Sequence, residues 1–347
     1  MKFSGRSDKK IKKITIKEIA AYTGFSTSTI SRALNHPEMV KEETRDKVLK
    51  AIEKFNYHPH QGARSLRKPG SGLWLASVGD SFSTMSLMPY YSTTFNLLTK
   101  ELEVRNLHLL LSMHMEKNDV SVLRTLSSMG IFDGFLVFSP KDNDERIEVL
   151  AKAEAKFLVL GKSASKCPYV FVDTDGVQGA MLAVDHLISV GVQRLWCIAT
   201  EREFRVTKER IIGIKKILQK RGISFDFCTV LHIKPTEQKA YNLAMKLPVK
   251  KGDGFFCFAD NIALGVIKAL IDRGVNVGKD VKVVGYDNLI HKVEYRGWQL
   301  TLTSVDQNLP LFVSTVVRKL FELVNNIEVE SEVLPVKLIP RESTGVA

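Results

Sequence analysis

Along most of this chain a short apolar run is followed by a polar break, then an amphipathic stretch, then another apolar run. From residue 73 the runs LWLASV (73–78), LHLLLS (107–112), GFLVF (134–138), FLVL (157–160) and YVFVD (169–173) read as strands. RLWCIA (194–199), FCTVL (227–231), GFFCF (254–258), VKVVG (281–285), LTSVD (302–306) and PVKLI (335–339) continue the series. Helical spacing of apolar residues fills the gaps: after Pro89, to Met129, from Glu145, over 176–190, to Arg221, to Leu247, to Arg273 and over 310–324. Apolar strands alternating with helices build parallel sheets covered on both faces. So many strands exceed one open sheet, which predicts two α/β lobes with a cleft between them. Ligands of such sheets sit at the carboxyl ends of strands.

The first 70 residues follow a different pattern. Ile16, Ile19 and Ala20 share one helical face, and Thr23-Gly24-Phe25 breaks that helix. Ser26 is a good N-cap for a second helix with apolar positions Ile30, Ala33 and Leu34. Pro37 closes it, and Lys41 to Arg45 opens a third helix carrying Val48, Leu49, Ile52 and Phe55. Two short helices around a glycine turn are the helix-turn-helix pattern. The second helix exposes Thr27, Ser28, Thr29, Ser31 and Arg32, short hydroxyls and one planar cation suited to base edges and phosphates. A core of Ile19, Ile30, Leu34, Val48 and Ile52 makes this a domain by Phe55. Pro59 and Pro69-Gly70-Ser71-Gly72 bound a basic linker too short to hold a helix without a partner.

Charge sharpens this division. The net charge is +12, and residues 1–70 hold 16 Lys and Arg against 7 Asp and Glu. A basic head on a nearly neutral body points to a polyanion partner for the head alone. No apolar run is long enough to span a bilayer, and the basic N-terminus lacks the apolar core of a secretory signal. Cys167, Cys197, Cys228 and Cys257 are scattered and form no C-x-x-C pair, which predicts neither a zinc site nor a disulfide frame. The chain carries no P-loop, no G-x-G-x-x-G after a strand, no G-x-S-x-G and no H-E-x-x-H, so no enzyme signature is present. No metal or cofactor is expected. Polar groups instead cluster after strands: Asp80, Asp173, Asp175, Asp260 and Asp287, with Arg210 in a following helix. These groups suit a polyhydroxylated ligand through charge-assisted bonds. Asp175 and Asp260 also suit helix caps, whereas Asp287 has no helix to cap.

The motifs T-I-K-E-I-A (15–20), G-F-S-T-S-T-I-S-R-A-L-N (24–35), N-Y-H-P (56–59), A-R-S-L (63–66), V-D-T-D-G (172–176), R-I-I-G (210–213), A-D-N-I-A-L-G (259–265) and V-V-G-Y-D (283–287) carry a further message. Through them the chain resembles the lactose-repressor/galactose-repressor (LacI/GalR) transcription regulators from about Ile14 to Arg341. The resemblance implies a three-helix helix-turn-helix domain ahead of an α/β periplasmic-binding-protein-like body of two doubly wound parallel-sheet lobes. The expected division is a disordered basic tail (1–13), the DNA-binding domain (14–58), a hinge helix (59–71) and the body (72–347). Within the body the first lobe takes about 72–171 and 307–333, and the second about 172–304 and 334–347.

It also implies roles. Thr27, Ser28 and Arg32 stand at positions that read bases in the major groove. Thr15, Ser26, Ser31, Asn35 and Tyr57 match positions that hold phosphates. Ala63 and Leu66 match the hinge in the minor groove, with Leu66 as the wedge. A sugar-like effector is expected near Asp80, Arg210, Asp260 and Asp287, with Tyr90, Tyr91 or Phe82 as stacking surface. The chain departs from the family at Ala259, where an asparagine is usual, and at Gly161, where some members carry aspartate. The partners implied are double-stranded operator DNA, the effector and a second copy of the chain, in a bacterial cytoplasm. The chain ends eight residues after PVKLI without a leucine heptad tail, which points to a dimer. Two alternatives stay open. The altered pocket would suit control by a protein corepressor docked on the first lobe, and the body alone would suit a sugar-binding protein without a regulatory role.

Overall fold

The computed structural model describes residues 14–35, 37–55, 57, 72–78, 89–113 and 119–346. The tail at 1–13, the hinge segment with Ala63 and Leu66, and the pocket residues Asp80 and Phe82 lie outside the described residues. The chain divides into two units, 1–71 and 72–347.

Three helices make the head: α1 (Ile16–Thr23), α2 (Thr27–Asn35) and α3 (Glu42–Lys54). Ile19, Ile30 and Val48 are wholly buried between them, with Ala33, Ala51 and Tyr57 alongside. Leu34 and Ile52, expected at the centre, flank this core and are only partly buried.

The body holds two six-stranded sheets. The first contains β1 (Leu73–Val78), β2 (His108–Met113), β3 (Gly134–Phe138), β4 (Phe157–Leu160), β5 (Val170–Thr174) and a late strand, β13 (Glu332–Leu334). Their order is β13-β5-β4-β3-β1-β2, and every pairing is parallel. The second contains β6 (Arg194–Ala199), β7 (Cys228–His232), β8 (Asp253–Cys257), β9 (Lys282–Asp287), β12 (Thr303–Asp306) and β14 (Lys337–Ile339). Its order is β14-β12-β9-β8-β6-β7; β14 alone runs antiparallel, on the edge.

The apolar runs are continuous because both faces of each sheet are covered. In β3, Leu136 and Phe138 enter one core while Phe135 and Val137 enter the other. In β8, Phe255 and Cys257 face one side and Phe256 the other. Alternate side chains of a strand point to opposite faces, and each large apolar side chain so buried contributes about 1.5–3 kcal/mol.

The chain passes between the lobes three times. Asp175 separates β5 from α7 (Gly176–Ser189), Gln307 and Asn308 separate β12 from α11 (Leu309–Val324), and residues 335–336 separate β13 from β14. The first passage follows Thr174 rather than residue 171, because Val172–Thr174 pair with Glu332–Leu334 in the first sheet. Two elements escaped the sequence pattern. One is β13. The other is a hairpin of β10 (Lys292–Tyr295) and β11 (Trp298–Thr301), in which Val293 pairs with Leu300 and both are buried. Its two-residue turn, Arg296-Gly297, has positive φ at both positions, a conformation usually announced by Asn-Gly or Asp-Gly.

Candidate functional site

In the head, the turn between α1 and α2 is set by Gly24, at φ +74°, whose N–H closes α1 on the Ala20 carbonyl. The Ser26 hydroxyl oxygen accepts the Thr29 N–H at 3.1 Å and lies 2.8 Å from the hydroxyls of Ser28 and Thr29. It caps the start of α2. Ser26→Ala should therefore lower the head's unfolding free energy by about 1 kcal/mol, read from chemical denaturation.

With about 100° per residue, Thr27, Ser31, Ser28 and Arg32 fall within an arc of about 140° that leaves the buried Ile30 and Ala33 on the other side, with Leu34 at its edge beside Thr27. Thr27, Ser28 and Arg32 are exposed and Ser31 is half-buried. The side that carries no core residue is thus a continuous polar face. Thr15 precedes α1, where the Glu18 carboxylate accepts both its N–H (2.7 Å) and its hydroxyl (3.0 Å). Thr15 and Ser26 both stand at helix N-termini, where backbone N–H groups favour anions. Tyr57, matched to a phosphate-holding position, is 7% exposed and packs in the core of the head.

In the body, a cavity of about 130 Å³ opens at the carboxyl ends of the strands. Ser139, Gly161, Lys162 and Asp173 line it from the first lobe, and Thr200, Glu201, Arg210, Ala259 and Asp287 from the second. Gln307, on a crossing segment, and the rings of Tyr90, Tyr91, Phe204, Phe258 and Phe312 also line it.

Asp287 ends β9 at φ +106°, a strained conformation for a side chain with a Cβ, and it is buried. It accepts from Gln307 Nε2 at 2.6 Å, while Gln307 Oε1 accepts from the Thr174 hydroxyl at 2.5 Å. Burial pushes its pKa up, and the nearby Arg210 charge opposes the rise. Arg210 stands nearby on α8 (Arg205–Lys220); its guanidinium centre lies 3.5 Å from the Tyr286 ring centroid and it donates to the Phe258 carbonyl. Burial likewise raises Asp173 to about 6, against the pull of Lys162 Nζ at 3.5 Å. The Tyr91 phenol, beside the Ser139 hydroxyl, is pushed up to about 12 by burial.

Of the expected ligand residues, Arg210, Asp287, Tyr90 and Tyr91 meet in this cavity. Asp260 does not. One of its oxygens accepts from Ser304 Oγ at 2.6 Å, and the other accepts the N–H groups of Leu289 and Ile290 at 2.7 and 3.1 Å. Nor is it the cap of α10 (Asp260–Asp272), since that position falls on Ala259. Its carboxylate secures the loop after Asp287. Asp175 does cap α7, accepting the Gln178 N–H. Asn261 donates to the Pro235 carbonyl and does not line the cavity. Gly161 has φ +111°, and a Cβ there would lie 2.9 Å from Pro140 Cδ, so an aspartate would not fit this backbone. Lys162, Glu201 and Gln307 were missed: polar residues of loops and crossings carry no periodic signal.

At the mouth of the cleft the lobes are clasped. Lys141 bridges Phe204, and the Asp142 N–H donates to the Glu203 carbonyl at 2.8 Å. The Asp142 carboxylate meets Arg205 at 3.1 Å and Lys208 at 2.5 Å, and these cations, Lys208 foremost, hold its pKa below the usual range. Lys162 reaches Glu209 at 3.4 Å, giving a further ion pair across the cleft.

A helix-turn-helix head followed by two periplasmic-binding-protein-like lobes is the architecture of a DNA-binding transcriptional regulator. Comparison with known proteins carries this further. Residues 15–60 match the family described as bacterial regulatory proteins, lacI family, and residues 184–344 match the periplasmic binding protein-like domain. The HTH-type transcriptional regulator AglR of Rhizobium meliloti is 25% identical over 96% of this chain and 95% of its own. The lac repressor dimer bound to operator and the anti-inducer ONPF superposes with a TM-score of 0.83 at 24% identity, over 96% of this chain and 99% of that one. A LacI family regulator from Enterococcus faecium with bound ribose gives 0.68 at 25% identity, over 78% and 98%. The chain belongs to the lacI family of transcriptional regulators. Its relatives are named as regulators, not as enzymes.

Proposed function

We propose that this protein is a dimeric repressor of carbohydrate-utilisation genes that acts in the bacterial cytoplasm. It binds a pseudo-palindromic operator and is released or engaged by a small sugar-like effector in the cleft. The polar arc of α2 carries this reading. Thr27, Ser28 and Arg32 read bases in the major groove; Thr15, Ser26, Ser31, Asn35 and Tyr57 hold phosphates. Ala63 and Leu66 serve the hinge in the minor groove, where an apolar wedge kinks the duplex. The regulator from Enterococcus faecium, whose structure holds ribose, supports a sugar as effector. So do the convergent Asp287, Arg210 and Asp173 among aromatic rings.

Fluorescence anisotropy on duplexes selected from random sequence tests the reading. The selected sites should be inverted repeats, as a two-fold dimer requires. Affinity should fall with salt at a log–log slope of about −0.9 per phosphate neutralised. A sugar that binds the body should shift the operator affinity. Direct repeats or single half-sites among the selected sequences would refute the dimer.

A further inference from the structure

Resting on the effector reading above, we infer that the cavity takes an uncharged or amine-bearing polyhydroxy ligand and rejects phosphorylated and carboxylated ones. Its described wall has two cations, Lys162 and Arg210, against three carboxylates, Asp173, Glu201 and Asp287.

Lys162 is held between carboxylates, whereas Arg210 is only partly engaged. Lys162 Nζ sits between Asp173 at 3.5 Å and Glu209 at 3.4 Å. Arg210 is stacked on Tyr286, bonded to the Phe258 carbonyl and lies near the Asp287 charge, and its Nε has no hydrogen-bond partner among the described residues. The next cations out, Arg205 and Lys208, are held by Asp142 in the clasp, and Arg205 also lies 3.6 Å from Glu209. A phosphate or carboxylate entering this space would lose its water and meet more carboxylates than cations, with Lys162 already held by Asp173 and Glu209. Hydroxyl groups would instead donate to Asp173 and Asp287, and an ammonium would gain a charge-assisted bond to Asp173 or Glu201.

The test uses the full chain at neutral pH in titration calorimetry. A panel of pentoses, hexoses and disaccharides is screened together with matched amino, phosphate and uronic-acid forms. The expected result is a neutral or amino member binding at least tenfold more tightly than its phosphorylated and carboxylated counterparts. Asp173→Asn and, independently, Glu201→Gln should narrow that ratio. A phosphorylated or carboxylated form that binds as tightly as its parent would overturn the inference and leave the sugar-effector reading standing. A ratio unmoved in both variants would also overturn it. If no member of the panel binds, the sugar-effector reading itself fails.

Discussion

Replacing Arg32 with alanine should weaken specific operator binding by about 10- to 100-fold while leaving the head folded. Arg32 is exposed on α2, on the same arc as Thr27 and Ser28, and away from Ile19, Ile30 and Val48. Alanine is the best helix former, so the helix does not suffer. What is lost is a planar fork of donors, and a bidentate arginine–guanine pair is worth about 1–3 kcal/mol of discrimination. Lysine cannot restore it, because a point charge does not present two parallel donors. Anisotropy on selected operator and on scrambled DNA separates the roles. A base reader loses affinity only for the operator. A phosphate contact loses about equally on both and lowers the salt slope by about one. Unchanged operator affinity with an intact circular dichroism spectrum would remove Arg32 from the interface.

The lobes were legible in the sequence because each strand is apolar on both faces, and that pattern survives without knowledge of partners. Strand order and crossings were less so. Val333 and Leu334 pair with Asp173 and Thr174, some 160 positions away, in a strand of three residues that no local pattern marks. The hairpin at 292–301 was hidden by Arg296, which takes the left-handed conformation that asparagine or aspartate would advertise. The head was legible for a different reason. Its Gly24 turn, Ser26 cap and spaced apolar residues are all local signals, and each has a local structural counterpart.

Site carboxylates were only half legible. A carboxylate after a strand can face the cavity, cap a helix or tie down a loop, and composition does not distinguish these. Asp287 faces the cavity, Asp175 caps, and Asp260 ties Leu289 and Ile290. The backbone that follows decides: the φ of +106° at Asp287 and +53° at Asn288 turns the chain so that Asp260 meets N–H groups and Asp287 meets Gln307. Gly161 belongs to the same logic. A Cβ there would crowd Pro140, and the carboxylate that lines this part of the cavity is Asp173 on the neighbouring strand.

Arg146→Ala should cost the body about 3–5 kcal/mol of stability and lower its melting temperature by roughly 10 °C. Arg146 lies in α6 (Glu145–Lys152) and is 4% exposed; Asp144 beside it is 5% exposed. The guanidinium donates to both Asp144 oxygens (2.9 and 2.7 Å), to the Phe138 carbonyl (2.9 Å) and to the Ser77 carbonyl (3.0 Å). It thereby fastens the ends of β1 and β3. Asp144 in turn accepts the Lys141 N–H at 3.0 Å, which holds the loop whose next residue, Asp142, clasps the opposite lobe. Truncating the arginine strands a carboxylate in the interior. The pH dependence identifies this mechanism. In the wild type, burial raises the Asp144 pKa, but Arg146 outweighs it and holds the carboxyl below its ordinary value. A lowered folded-state pKa gives stability that is present at neutral pH and fades as pH falls below the unfolded value of about 3.9. In the variant, burial, the largest influence, is opposed only by the backbone N–H groups of residues 141 and 146, so the folded-state pKa rises and protonation relieves the cost. The deficit of the variant should therefore shrink between pH 7 and about pH 4. Adding Asp144→Asn to Arg146→Ala should recover part of the loss at pH 7, because no buried charge remains. A deficit that is constant with pH in calorimetry would mean that lost packing, not the stranded charge, sets the cost.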